Sequence, residues 1–195
     1  EVLDAAVSRV LRLKFEMGLF ENPYVDPGKA KKEVRSKEYV TLARQVAQAS
    51  ITLLKNEHSL LPLDRSMKVA LIGPNADNRY NMLGDYTAPQ EEENVKTVLD
   101  GIRAKLSSSQ VEYVKGCSIR DTVTSDIEQA VAAAQRSEVV IAVVGGSSAR
   151  DFKTSYKETG AAIADEKAIS DMECGEGFDR ATLSLLGKQQ ELLKA

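Results

Sequence analysis

The sequence has no tryptophan, a single histidine and two cysteines. With aromatic residues at only 5% of 195, a platform for stacking sugars or bases would have to come from outside this chain. His58, Cys117 and Cys174 are too few and too far apart in sequence for a zinc cluster, and one potential disulfide says little about redox compartment. His58 sits in KNEHSLLPL, after a helical pattern, where a solvated loop residue is the plain reading. No apolar run approaches the ~20 residues needed to cross a bilayer, and the N-terminal stretch lacks the basic region and apolar segment of a signal peptide. Charge of one sign is lacking too: the net charge is -3, with acids and bases interspersed. There is no basic footprint for nucleic acid. Neither a membrane, a metal nor a cofactor is expected from the sequence.

What is present is an ordinary globular composition, 43% hydrophobic and 28% charged, enough to bury a core. The sequence starts at Glu1 in the helical pattern EVLDAAVSRVLRLKFEMGLF and stops in LLGKQQELLKA, again helical, so it reads as a piece of something longer. Apolar residues from Val2 to Met17 form a broad helical stripe, with Gly18 placed as a stop. FENPYVDPGKAKKEVRS, with two prolines, a glycine and many charges, reads as an exposed linker over 20–36. Ser36 then caps a helix predicted over Lys37–Lys55.

From Lys68 onward the pattern changes. KVALI reads as a buried strand closed by Gly73-Pro74-Asn75, and Asn94 or Thr97 opens a helix running to Leu106. VEYV is a second strand, Asp126–Arg136 a helix capped by Thr124 or Ser125, and VVIAVV a third strand ending in Gly145-Gly146-Ser147-Ser148. Strand, helix, strand, helix, strand predicts an α/β fold with a parallel sheet. A last helix over Leu186–Ala195 is expected to pack back on it. Between Gly146 and Glu176 lie about thirty residues without a convincing strand, a length that marks a functional or disordered loop. Such loops follow the carboxyl ends of strands, where open α/β sheets place ligands.

Few motifs carry chemistry. Gly73-Pro74-Asn75-Ala76-Asp77 matches neither nucleotide-binding glycine pattern, and Gly145-Gly146-Ser147-Ser148 is not a nucleophile elbow. Arg150 and Asp151 either pair with each other or project into a ligand site. Glu176, in CGEGFDR, is bounded by Gly175 and Gly177; a carboxyl delivered from such a loop into a cavity could act as a general acid once desolvation raised its pKa, and the same residues also fit a solvated turn. Asp179 and Arg180 read most simply as a helix-start cap and a salt-bridge partner.

Five segments in order then carry a resemblance: VLRLKFEMGLFENPY, LARQVAQASITLLKNEHSLLPL, KVALIGPNADNRYNMLGDY, VVIAVVGG and EGFDRATLSLLGKQQELL. Together they resemble family 3 glycoside hydrolases, the β-glucosidase and β-xylosidase family. The resemblance implies a three-layer α/β/α sandwich with a mainly parallel, flavodoxin-like sheet, truncated here and preceded by a helix and linker from an adjacent (β/α)8 barrel. By the same resemblance, residues 1–19 are the terminal barrel helix, 20–36 the interdomain linker, and 37–195 the incomplete sandwich domain. A full barrel takes about 250 residues, so nearly all of it, with the family's aspartate nucleophile, would lie outside this chain.

The family's acid/base is a glutamate on a sandwich-domain loop, and Glu176 matches its position; Glu173 is the fallback. Ser147, Ser148, Arg150 and Asp151 are candidates to line the sugar site. The function this resemblance implies is that of a fragment of a retaining β-glycosidase acting on terminal β-linked sugars of oligosaccharides or glycosides, inactive without its barrel. A periplasmic or secreted parent is implied, and self-association through the exposed domain interface is expected. The reading that competes is a non-catalytic carbohydrate-binding or interaction module of flavodoxin-like fold. Sugar and linkage are not legible.

Overall fold

Gly18 stops the first helix because it adopts a positive φ of 65°, which costs glycine little. In the computed structural model of the chain, which describes residues 1–84, 86–87, 90–148, 158–159, 171–175 and 179–195, α1 spans Val2–Glu16. The Gly18 and Leu19 amides donate back to the carbonyls of Phe15 and Lys14, each at 3.0 Å, the paired bonds of a Schellman ending. Phe20 turns back onto Phe15, ring centroids 4.5 Å apart. The stretch read as an exposed linker contains a short helix, α2 (Pro27–Glu33). Asp26 caps it by accepting from the Gly28 amide at 2.8 Å, and Pro27 supplies a preset φ at its first position.

The Ser36 side chain accepts from the Tyr39 amide and opens α3 (Lys37–Ser50) as expected. That helix ends five residues before the predicted Lys55. Ser50 turns its hydroxyl onto the Ala47 carbonyl, and the β-branched Ile51 takes an extended conformation, ψ 119°. Asn56 then closes the next loop, donating to the Leu61 carbonyl at 3.0 Å and accepting from the Leu61 amide at 2.8 Å. His58 is exposed in this bend. By its internal contacts Glu1–Leu61 is one unit, and Pro62–Ala195 is a second.

The second unit holds the sheet. Among the described residues it has three parallel strands in the order β2-β1-β3: β1 is Val69–Ile72, β2 Val111–Val114 and β3 Val139–Ala142. Val69 pairs with Val111 on one side and Val139 on the other, and Ile72 with Val114 and Ala142. All four residues of β1 are buried, which is why VALI is apolar without alternation. Leu71 packs on one face with Leu99 of α4 (Val98–Arg103), Ala76 and Val111. Ala70 and Ile72 pack on the other, against Ala130 and Ala133 of α5 (Ile127–Gln135), Leu192 of α6 (Gln189–Lys194) and Cys117. Helices thus cover both faces, the α/β/α layering read from the sequence.

The chain passes from β1 through α4 to β2, then back across β1 through α5 to β3. Crossovers of one hand running in opposite directions put their helices on opposite faces. The direction reverses at β1, so the carboxyl ends of β1 and β3 flank a topological switch point, where such sheets open a crevice. β3 is covered less than its VVIAVV sequence predicts: Ile141 and Val143 join the Leu71 cluster, while Val140 is 44% exposed.

Candidate active site

The switch-point crevice is built from glycines and buried amides. Gly73 leaves β1 at φ 107°, and a Cβ there would overlap the Val143 carbonyl. That close approach lets the Asn75 amide reach the same carbonyl at 3.2 Å, tying the exit of β1 to the exit of β3. Asn75 is buried, and its Oδ1 accepts from Asn81 Nδ2 at 2.6 Å. Asn81 Oδ1 in turn accepts from the Ser147 hydroxyl at 2.7 Å. Ser147, a predicted sugar-lining residue, is therefore nearly enclosed and ties two loops together.

A second buried amide holds the other side. Gln189, at the start of α6, is fully buried. Its Oε1 accepts from the Gly145 amide at 2.8 Å, and its Nε2 donates to the carbonyls of Ile119 and Leu186 at 3.3 and 3.2 Å. Asn75, Asn81 and Gln189 carried no signal as site residues in the sequence beyond their place beside a strand-ending glycine or at a helix start. Their role becomes visible only once the strands are paired.

Residues 171–175 are pinned across the crevice from several directions. Asp171 Oδ1 accepts from the Ile119 amide at 3.0 Å, Arg120 Nη1 donates to the Met172 carbonyl at 2.9 Å, and the Glu173 amide donates to the Ser147 carbonyl at 2.9 Å. The Cys174 thiol faces that same carbonyl at 3.8 Å. Cys117 lies apart, in the core, where burial pushes its thiol pKa up.

The Glu173 side chain is 1% exposed, so the fallback acid/base candidate is enclosed rather than presented. It lies flat against Gly146, where any Cβ would overlap Oε1. Arg180 Nη1 stands 2.9 Å from that oxygen. This is an ion pair by distance, yet among the described residues neither carboxylate oxygen has a well-aligned hydrogen-bond donor. Arg180 also donates through Nη2 to the Ser184 carbonyl at 2.8 Å. Removing the guanidinium would leave a buried carboxylate without its counter-charge, a strongly unfavourable change. Glu176, Arg150 and Asp151 lie outside the described residues. Among the described residues no cluster of three or more His, Cys, Asp or Glu side chains could hold a metal ion.

The profile of the glycosyl hydrolase family 3 C-terminal domain matches residues 51–195. The chain belongs to glycosyl hydrolase family 3. A β-xylosidase of Formosa agariphila is 34% identical over 99% of this chain, and a periplasmic β-glucosidase of Salmonella typhimurium is 32% identical over 81%. Among solved structures, a β-glucosidase involved in saponin metabolism from intestinal bacteria superposes on 98% of the chain with a TM-score of 0.72 and 29% identity. The Listeria innocua β-glucosidase in complex with isofagomine covers 75% with a TM-score of 0.64 and 33% identity. The chain spans only 24%, 26%, 27% and 20% of these four proteins, respectively. Its family 3 portion is thus a fraction of what the whole relatives contain.

Proposed function

We propose that this chain is the acid/base-bearing part of a retaining β-glycosidase of the β-xylosidase or β-glucosidase kind, acting on oligosaccharides or glycosides. In this reading residues 1–19 are the last helix of a barrel domain, 20–36 the linker, and 37–195 the first part of the sandwich domain. The aspartate nucleophile belongs to the barrel, and Glu176 protonates the departing glycosidic oxygen and then activates water. Retention requires the two carboxyls to come within about 5–5.5 Å of each other, so the loop bearing Glu176 has to be delivered over the barrel mouth. Ser147 ties loops together beside this site, and Arg150 and Asp151 are assigned to sugar binding.

The observation that carries the reading is the pinning of residues 171–175, directly before Glu176, onto the switch-point crevice of a family 3 domain. The enclosed, ion-paired Glu173 supports giving the role to Glu176. The periplasmic relative supports export of the parent to the periplasm or beyond. The experiment is Glu176→Ala in the full-length enzyme, with a 2,4-dinitrophenyl β-glycoside and sodium azide. Slow deglycosylation, accelerated by azide with formation of a β-glycosyl azide, is expected, with kcat down by about 10²–10⁴-fold before rescue. Unchanged turnover would remove Glu176 from the role and leave Glu173 to be tested the same way.

A further inference from the structure

Glu173 and Arg180 bracket Glu176 in sequence, three residues before it and four after it. In space the brackets meet: Arg180 Nη1 is 2.9 Å from Glu173 Oε1. Glu173 is not free to follow its partner, because its amide is bonded to the Ser147 carbonyl and its carboxylate is seated on Gly146. Directly before it, Arg120 holds the Met172 carbonyl. Arg180 is tied at its own end as well, through Nη2 to the Ser184 carbonyl.

We propose that the Glu173–Arg180 ion pair is a clamp that closes the base of the segment carrying Glu176, making Glu173 and Arg180 positioning residues for the acid/base. The proposal rests on the assignment of Glu176 above. An unclamped run from residue 173 to 180 could place its middle anywhere that connectivity allows. With the base closed, Glu176 is tethered at both ends, three peptide steps (about 11 Å at most) from a Glu173 fixed on the loops after β3 and β2, and four steps (about 14 Å at most) from an Arg180 held to Glu173. Proton transfer demands far tighter placement than that, and a displacement of ~1 Å can cost about 10²-fold in rate. The planar guanidinium can serve Glu173 and Ser184 together through separate nitrogens, which a lysine ammonium on its flexible stem does poorly. Burial of the Glu173 carboxylate makes the clamp hard to open, because an opened clamp strands a charge away from water.

The test is kcat/KM of the full-length enzyme, which reports only steps through formation of the covalent intermediate, on two aryl glycosides of one sugar. The 2,4-dinitrophenyl glycoside departs without proton assistance; the phenyl glycoside needs it. Arg180→Lys is expected to lower kcat/KM on the phenyl glycoside by about 10–100-fold while changing the dinitrophenyl value less than about 3-fold. Glu173→Gln, which keeps the shape, is expected to show the same split and serves if the lysine variant fails to fold. In the Glu176→Ala background, Arg180→Lys should add no further loss on the phenyl glycoside. An equal loss on both substrates, no loss on either, or losses that multiply in the double variant would overturn the clamp. Azide rescue of Glu176→Ala is read independently, so success there with multiplying losses sinks only the clamp, and absence of rescue sinks the acid/base assignment first.

Discussion

At the scale of single residues, the glycines of the crevice divide into those whose missing side chain is required and those where it is incidental. Gly146 is required, since Glu173 occupies the space a Cβ would take. Gly101, inside α4, has nothing within 4 Å of a would-be Cβ. Gly146→Ala should therefore destabilise the chain by about 1–3 kcal/mol through overpacking, whereas Gly101→Ala should be neutral or stabilise by up to ~1 kcal/mol through helix propensity. Urea unfolding midpoints of the two variants measure this directly; equal shifts would mean that Glu173 does not sit against Gly146. The sequence showed a Gly-Gly pair after an apolar strand and so located the crevice. It could not show which glycine is sterically obliged, because the obliging atom comes from a residue far along the chain.

At the scale of elements, local chemistry was legible where a boundary is set by neighbours in sequence. Gly18 ends α1 and Ser36 opens α3 as their residue types dictate, and Thr97, not Asn94, proved to be the cap of α4. α2 was missed because two prolines and dense charge masked the Asp26-Pro27 start. α3 was overextended because the apolar pattern of ASITLLKN continues past the point where the β-branched Ile51 leaves the helix. The cap of α4 carries a pH signature. Thr97 Oγ1 accepts from the Asp100 amide at 3.1 Å, and Asp100 Oδ2 accepts from the Thr97 amide at 3.1 Å.

That backbone amide chiefly, opposed by partial burial and helped by Arg79, holds the Asp100 carboxyl below its ordinary pKa of 3.8. A lowered folded-state pKa means the unfolded chain binds the proton more readily. The contribution is therefore present above the unfolded value and lost as pH falls through the folded one. Asp100→Asn should cost about 1 kcal/mol at pH 6, with the gap to the parent closing as the pH is taken below about 4. Urea midpoints at the two pH values read it, and a gap that stays constant would exclude the ionised cap.

At the scale of the whole molecule, the fold class followed from the order of strands and helices, since alternating periodicities leave few ways to bury both kinds of element. The polar ties of the crevice did not follow. Buried pairs such as Gln189 with Gly145, or Glu173 with Arg180, depend on which loops the topology brings together. The apolar side chains of α1, among them Leu3 at 74% and Phe15 at 62% exposure, form the face that the proposed barrel would cover. The same division of labour sets the most direct measurement: hydrolysis of a 2,4-dinitrophenyl β-glycoside by the purified 195-residue chain, alone and joined to the barrel domain in one polypeptide. Turnover only in the joined form is predicted, because the proposed reading puts the acid/base on this chain and the nucleophile on the barrel; robust turnover by the chain alone would contradict a site shared between two domains.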